Sequence, residues 1–213
     1  MTAGKLRRAS TVDLLADELR GEILDGALPS GARLRERELC ETYGVARHSL
    51  RAALRALAGE GLVRIEPHRG ATVARLDAGE VLALYELRAA LELEAAHLAL
   101  ARHGGALPEP VHVALAELEQ ACRGEPAWSD VNAAHGALHA AIVAASESPR
   151  IVAAHEALSG EMLLFLLQLQ PHLPAGRLAE DHAALVVGLE REGPPALREH
   201  LREAAETLVA AGP

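Results

Sequence analysis

Aromatic side chains are nearly missing from this chain: Phe, Tyr and Trp together make up 2% of its 213 residues. That argues against a cavity that stacks a planar cofactor between rings. Cysteine is almost as scarce. Cys40 and Cys122 stand far apart with no CxxC or Cys-His finger spacing, which excludes a structural zinc finger and fits a reducing compartment. No apolar run reaches membrane-spanning length, and none near the N-terminus forms a signal-peptide core. The expectation is therefore a soluble, cytoplasmic protein with no membrane partner. β-branched runs are few as well. The hydrophobic half of the chain is mostly Ala and Leu, so the fold class is mainly α.

Charge of one sign is unevenly spread. The net charge of −9 looks wrong for a nucleic-acid binder until the chain is divided. Residues 1–75 hold 13 Lys or Arg against 10 Asp or Glu, a net of +3, whereas the remainder holds 8 against 20, a net of −12. A mildly basic head on an acidic body is expected if only the head meets phosphates.

Residues 1–10 (MTAGKLRRAS) are basic and without periodicity, and read as a flexible arm. Ser10 or Thr11 caps a helix whose stripe is Val12, Leu15, Leu19, Ile23 and Leu24, with Gly26 as its stop. Ala27 to Gly31 make a turn, and Leu34 re-enters the core. The most informative stretch follows. Arg35 to Gly70 reads as a short helix, a turn at Tyr43-Gly44-Val45, a second helix, and a strand-turn-strand from Leu62. Val45, Leu50, Ala53, Leu54 and Leu57 recur at helical spacing on the packing side of the second helix. Arg47, His48, Ser49, Arg51 and Arg55 fall on the other side, where they can enter a major groove. Leu62, Val63, Ile65, Thr72 and Val73 flank a basic turn, Pro67-His68-Arg69-Gly70, as expected of a two-stranded wing. An Arg at the start of such a helix can grip the O6 and N7 acceptors of guanine with both arms of its fork. Arg55 and Arg64 read as solvated surface charges.

Leu15 to Val73 resembles the DNA-binding domain of the GntR family of bacterial transcription regulators. The resemblance rests on ILDGxLPxG, LRERELxExxGV, the Arg after the turn, LRxALxxLxxEGLV and the HRG wing, all present in order. It implies DNA contacts at Arg37, Arg47, Arg51, His68 and Gly70, with His48, Ser49 and Arg69 beside them. Ala46 and His48 stand where the family usually has small hydroxyl residues, which affects the operator sequence.

From Asp77, an N-cap with Glu80 placed for a capping box, the chain has helical periodicity and no convincing strand. Helices are expected over about 78–103, 108–122, 129–146, 149–170, 175–192 and 195–210, forming an antiparallel bundle that can enclose a ligand. The domains are thus an arm (1–10), a winged helix-turn-helix (11–75) and a helical effector-binding and dimerisation domain (76–213). His135 and His139, at i and i+4, project from one helical face and can share a metal. His182 and His200 lie on the last two helices. His97, His103, His112, His155 and His172 read as surface or interhelical hydrogen-bonding residues.

The body resembles the FCD effector domain of the FadR-like branch of the same family, through YELRAALELEAAHLA, LHAAIVAASESPRI and the segments around His182 and His200. That resemblance implies a divalent metal on His139, His182 and His200, with the usual Asp or Asn position taken by His135, and a small carboxylate effector. It also implies that Arg88, paired at i+4 with Glu92, clamps the effector. Four nitrogen ligands favour zinc or nickel. Counting from Gly193, His182 lies 11 residues before the turn and His200 only 7 after it, an axial mismatch of about 6 Å that leaves His200 either out of reach or served by a displaced turn. The function expected is a dimeric, effector-responsive repressor on a pseudo-palindromic double-stranded operator. Two alternatives stand beside it: a direct metal sensor, and a metal-dependent enzyme fused to a DNA-binding head. No nucleophile or carboxylate pair accompanies the histidines, so the chain does not read as an enzyme.

Overall fold

The computed structural model describes residues 10–211, so all but the last residue of the expected basic arm lies outside the described residues. The chain divides into two compact units, one ending at Ala74 and the other beginning at Arg75.

The first unit starts with α1 (Thr11–Leu24). Ser10 is its cap: the Ser10 hydroxyl accepts from the Asp13 N–H while the Asp13 carboxylate accepts from the Ser10 N–H, satisfying two backbone donors at once. Leu15, Leu19 and Ile23 bury the expected stripe against α3 (Arg47–Gly59), which contributes Leu50, Ala53, Leu54 and Leu57. Arg20 on α1 forks onto the Glu60 carboxylate at 2.8 and 2.7 Å, pinning α1 to the residue that caps α3. Between them α2 (Glu36–Tyr43) ends at Gly44, whose φ of +61° gives the sharp helix-turn-helix corner. The wing has one strand more than the sequence suggests. β2 (Val63–Glu66) and β3 (Gly70–Val73) form the hairpin, and β1 (Arg33–Leu34) pairs with the far edge of β3 in the order β1-β3-β2. Two residues are too few to show period-2 alternation, so β1 is invisible in the sequence.

The second unit is all helical: α4 (Ala78–Arg102), α5 (Glu109–Ala121), α6 (Trp128–Ala144), α7 (Pro149–Glu156), α8 (Ser159–Leu169), a 3-10 turn (Gln170–His172), α9 (Ala175–Glu192) and α10 (Pro194–Ala211). Asp77 and Glu80 form the predicted capping box of α4. α4 packs on both α6 and α10, while α5 packs on α6 and α9. Leu76 is held by both ends of the Gln168 amide, its N–H donating at 2.9 Å and its carbonyl accepting at 3.0 Å, which ties the start of the bundle to α8. One expected helix, 149–170, is two helices bent by 50°. The break precedes Ser159-Gly160, the kind of small pair at which helices kink. α7 and α8 together have the length and apolarity of a broken membrane span, but no single helix among the described residues is long and apolar enough to cross one.

Candidate nucleic-acid interface and candidate metal centre

The residues singled out in the head share one property: they are out in solvent. Arg37, Arg47, His48, Arg51, His68, Arg69 and Gly70 are exposed, and Ser49 is half-buried. The helical spacing that buries Leu50 and Leu54 turns Arg47 and Arg51 outward on α3. Both arginines reach the same carboxylate: Arg51 Nε lies 2.7 Å from Glu36 Oε1, and Arg47 Nε lies 3.6 Å from Glu36 Oε2. Glu36, on α2, therefore holds the two side chains together on one surface. At the wing tip, His68 has a φ of +64° and Gly70 of +89°. Left-handed backbone is natural for glycine and uncommon for other residues, so the turn that projects His68 and Arg69 is tightly specified. Arg69 pairs with Glu66 at 2.9 Å, and its carbonyl accepts from Arg33 Nη2 at 3.0 Å. Arg55 is exposed beside these residues, in the cleft between α3 and the wing.

The body reverses this pattern. Arg88, His135, His139 and His182 are all at most 8% exposed. With half-buried His200, they line a cavity of about 390 Å³ whose apolar wall includes Phe165, Leu166 and Leu169. Of the run Leu163 to Leu167, Phe165 and Leu166 line this cavity, while Leu163 faces a second one. His135, His139 and His182 offer nitrogens that all lie within 4.8 Å of one another. His200 is a fourth ring, centred 4.5 Å from His182 and 5.8 Å from His139. Its ring lines the same cavity, outside the trio of close nitrogens. At Gly188 a Cβ would sit 2.8 Å from Ala196 Cβ, so α9 and α10 approach closely near their turn. The preformed trio does differ from the one implied by the family resemblance, since His135 joins it and His200 stands beside it.

Hydrogen bonding fixes which nitrogens are free. His182 Nδ1 lies 2.7 Å from the Leu178 carbonyl, which only accepts, so Nδ1 carries the proton and Nε2 keeps its lone pair. His139 Nδ1 lies 2.8 Å from Glu92 Oε2 and 3.3 Å from Arg88 Nη2. The shorter, charge-assisted contact decides the tautomer: Nδ1–H donates to the carboxylate, and Nε2 again keeps its lone pair. The two Nε2 atoms face each other at 3.3 Å. Two lone pairs so placed repel unless a cation lies between them. One imidazole backed by a carboxylate and one by a carbonyl is the arrangement that orients histidines toward a metal. Burial first, then the repulsion of neighbouring imidazoles, holds His135 and His200 well below the usual histidine range, and burial lowers His182 to about 3. His139 is lowered chiefly by burial, against the pull of Glu92. All four rings are thus neutral near pH 7, the form that ligates. Four imidazole nitrogens suit zinc, nickel or copper better than the oxygen-loving magnesium or calcium.

Glu92 is the residue whose importance the sequence understated. It appears there as half of an i, i+4 pair, but it accepts from Arg88 Nε at 2.8 Å, from His139 at 2.8 Å and from His155 Nε2 at 3.3 Å. Burial favours its neutral form, yet Arg88 and the histidine hydrogen bonds outweigh that and hold its carboxyl well below the usual range. Arg88 remains charged in the same way, desolvation being overcome by Glu92. Arg88 also lies over the Tyr85 ring, 4.9 Å from its centre. The pair is both an internal ion pair and part of the cavity wall. His155, expected as an interhelical hydrogen-bonding residue, is one, and it is buried against this network. Asn132 gives no sequence signal; it is 1% exposed, and neither side-chain polar atom has a partner among the described residues, a cost of roughly 1–3 kcal/mol.

Comparisons with known proteins bear on both units. Residues 11–73 match the family model described as bacterial regulatory proteins of the gntR family, and residues 83–207 match the FCD domain. A Paenarthrobacter nicotinovorans protein described as "Probable D-xylose utilization operon transcriptional repressor" is 30% identical over 93% of this chain and 87% of its own length. The gluconate operon transcriptional repressor of Bacillus licheniformis is 39% identical over 41% of this chain, a match spanning 35% of that protein. A crystal structure from Rhodococcus sp. RHA1, of a protein assigned as a GntR transcriptional regulator, superposes with a TM-score of 0.74 and 25% identity, covering 95% of this chain and 99% of that one. The chain belongs to the GntR family of bacterial transcription regulators, with an FCD domain as its helical body, and is a regulator and not an enzyme.

Proposed function

We propose that this protein is a repressor that releases its operator when a small organic acid enters the helical domain, and that the acid is received by a divalent metal held in the histidine centre. The observation that carries the reading is the pair of Nε2 lone pairs of His139 and His182, 3.3 Å apart and each oriented by a hydrogen bond behind it. His139, His182 and His135 are the proposed ligands, with His200 as the fourth or as a lever on the bound acid. Zinc or nickel fits this nitrogen set. A cation there would supply a Lewis-acid point for a carboxylate oxygen. The chain's own contribution is orientation and selection: Glu92 fixes the His139 ring, Leu178 fixes the His182 ring, and Arg88 adds positive charge to the cavity wall.

In the head, Arg47 and Arg51 exchange Glu36 for base edges or phosphates, Ser49 and His48 border them, and Arg37 reaches the backbone or a base from α2. The wing residues His68, Arg69 and Gly70 approach the duplex beside them. Two copies forming a homodimer would read a pseudo-palindrome. Both named relatives are described as operon repressors, which supports a repressor here.

Metal analysis of the purified full-length protein comes first. Binding to a duplex that the protein itself selects from random DNA is then measured with and without chelator and a panel of small acids. The expected result is DNA binding that survives chelation and a release by acid that does not. Release by acid in the absence of metal would sink the metal-mediated reading. DNA binding that follows the metal alone would make the chain a direct metal sensor.

A further inference from the structure

The cleft between α3 and the wing, about 370 Å³ in volume, is bordered by two side chains that neither the core of the head nor its groove-facing arginines account for. The first is Arg55. It follows Arg51 by one helical turn and Arg47 by two, so the three guanidinium groups climb one side of α3, Arg55 about 12 Å beyond Arg47 along the axis. Arg47 and Arg51 share Glu36, and Arg69 is paired with Glu66. The two carboxylates that border the cleft, Glu36 and Glu66, are therefore already engaged. Arg55 is exposed and has no ion pair among the described residues. The second is Ile65, on the wing side. It lies two residues after Val63 on β2, hence on the same face of the sheet, yet Val63 is 3% exposed and Ile65 46%. Pro67 beside it is exposed as well. One wall of the cleft thus offers a free cation and the other a bare hydrocarbon surface.

We propose, on the reading above that α3 enters a major groove, that one sugar–phosphate strand of the operator runs through this cleft, with the Arg55 guanidinium on a phosphate and Ile65 against the adjoining deoxyribose. The rim of a major groove is a sugar–phosphate strand, so a helix inside the groove and a wing outside it have that strand between them. Such a strand alternates an anionic phosphate with a sugar whose edge is largely C–H, and the two walls match that alternation. Gly70 borders the same cleft with no side chain, which leaves room for close approach of the strand. A phosphate contact carries no base sequence. Arg55 is accordingly a positioning residue that sets the depth and register of α3, while Arg47 and Arg51 meet the bases.

The test uses the full-length protein and the duplex it selects, titrated by anisotropy at several salt concentrations. Arg55→Ala should weaken binding roughly tenfold at low salt, equally for matched and singly mismatched duplexes, and reduce the salt slope by about one. Arg55→Gln, which keeps the length of the side chain, should do the same. Ile65→Ala should cost about threefold with an unchanged slope. A set of duplexes in which one phosphate at a time is replaced by a neutral methylphosphonate then locates the contact. At one position the replacement should weaken the wild type and leave Arg55→Ala unaffected. Wild-type affinity and slope in both Arg55 variants would return Arg55 to a solvated charge and overturn the proposal. So would a loss confined to one base pair, or a scan in which no phosphate is coupled to Arg55. Arg51→Ala is measured in parallel. If it too leaves affinity and discrimination untouched, α3 does not enter the groove and the underlying reading fails; a loss in Arg51→Ala with none in Arg55→Ala overturns the cleft alone.

Discussion

The two units of this molecule use charged and polar side chains in opposite ways. In the winged helix-turn-helix the candidate contacts are exposed, and their ion pairs are makeshift: Arg47 and Arg51 are 63% and 55% exposed while they share Glu36. Such pairs contribute little to stability and are easily exchanged for phosphate. In the FCD domain the working groups are sealed from water, with Arg88, Glu92, His139 and His155 forming one network at 3% exposure or less. There, charge is expensive to leave unpaired, so each group is fixed by the others. An external reader of a large polyanion needs reachable, adaptable side chains; a receptor for a small ligand needs preorganised ones. The sealed network explains a further contrast: substitutions should damage the head in function and the body first in stability.

The sharpest break of this comparison is at Glu92. Glu92→Leu strands a buried guanidinium and should cost about 3–5 kcal/mol in urea unfolding, whereas the double variant Arg88→Met/Glu92→Leu should regain most of it. If the single variant unfolds like the wild type, the network does not stabilise the bundle. Next in size is the milder Glu92→Gln, which keeps the shape but weakens the support of His139. Zinc affinity, read by competition with a chromogenic chelator, should fall roughly 10- to 100-fold.

How much of this was legible in sequence follows the same divide. The head's motif runs in unbroken order, so periodicity, Gly44 and the basic turn mark α1 to α3 and the hairpin, and only the two-residue β1 leaves no trace. In the body, Asp77, Glu80 and the loop glycines and prolines mark helix ends, but the apolar periodicity runs straight through the break before Ser159-Gly160. The histidine pair at 135 and 139 was visible as a helical spacing. What it faces was not, because the meetings of Glu92 with His155, and of His182 with His200, depend on how helices pack across 63 and 18 residues of chain. Asn132 is silent in sequence for the same reason: only the packed bundle shows that nothing reaches it.

The remaining substitutions concern the head and should be smaller. Arg51→Ala is expected to weaken binding to the selected duplex about tenfold or somewhat more and to relax its sequence preference, as seen by anisotropy titration against mismatched duplexes. Unaltered discrimination would remove Arg51 from base readout. Smallest of all, Glu36→Gln should leave the unfolding midpoint in place and raise non-specific DNA affinity by a few-fold, with a steeper dependence on salt. A marked loss of stability would mean that Glu36 is structural, and the contrast between the units would narrow.

The central claim is that the buried histidines form a metal receptor, and zinc bound per chain tests it most directly. Equilibrium dialysis of the full-length protein should give about one tight equivalent, as expected for a His-rich site. His182→Ala and His139→Ala should lose it while the helical circular dichroism stays as in the wild type. A wild type that retains no tight equivalent, or variants that retain as much as the wild type, would contradict the account.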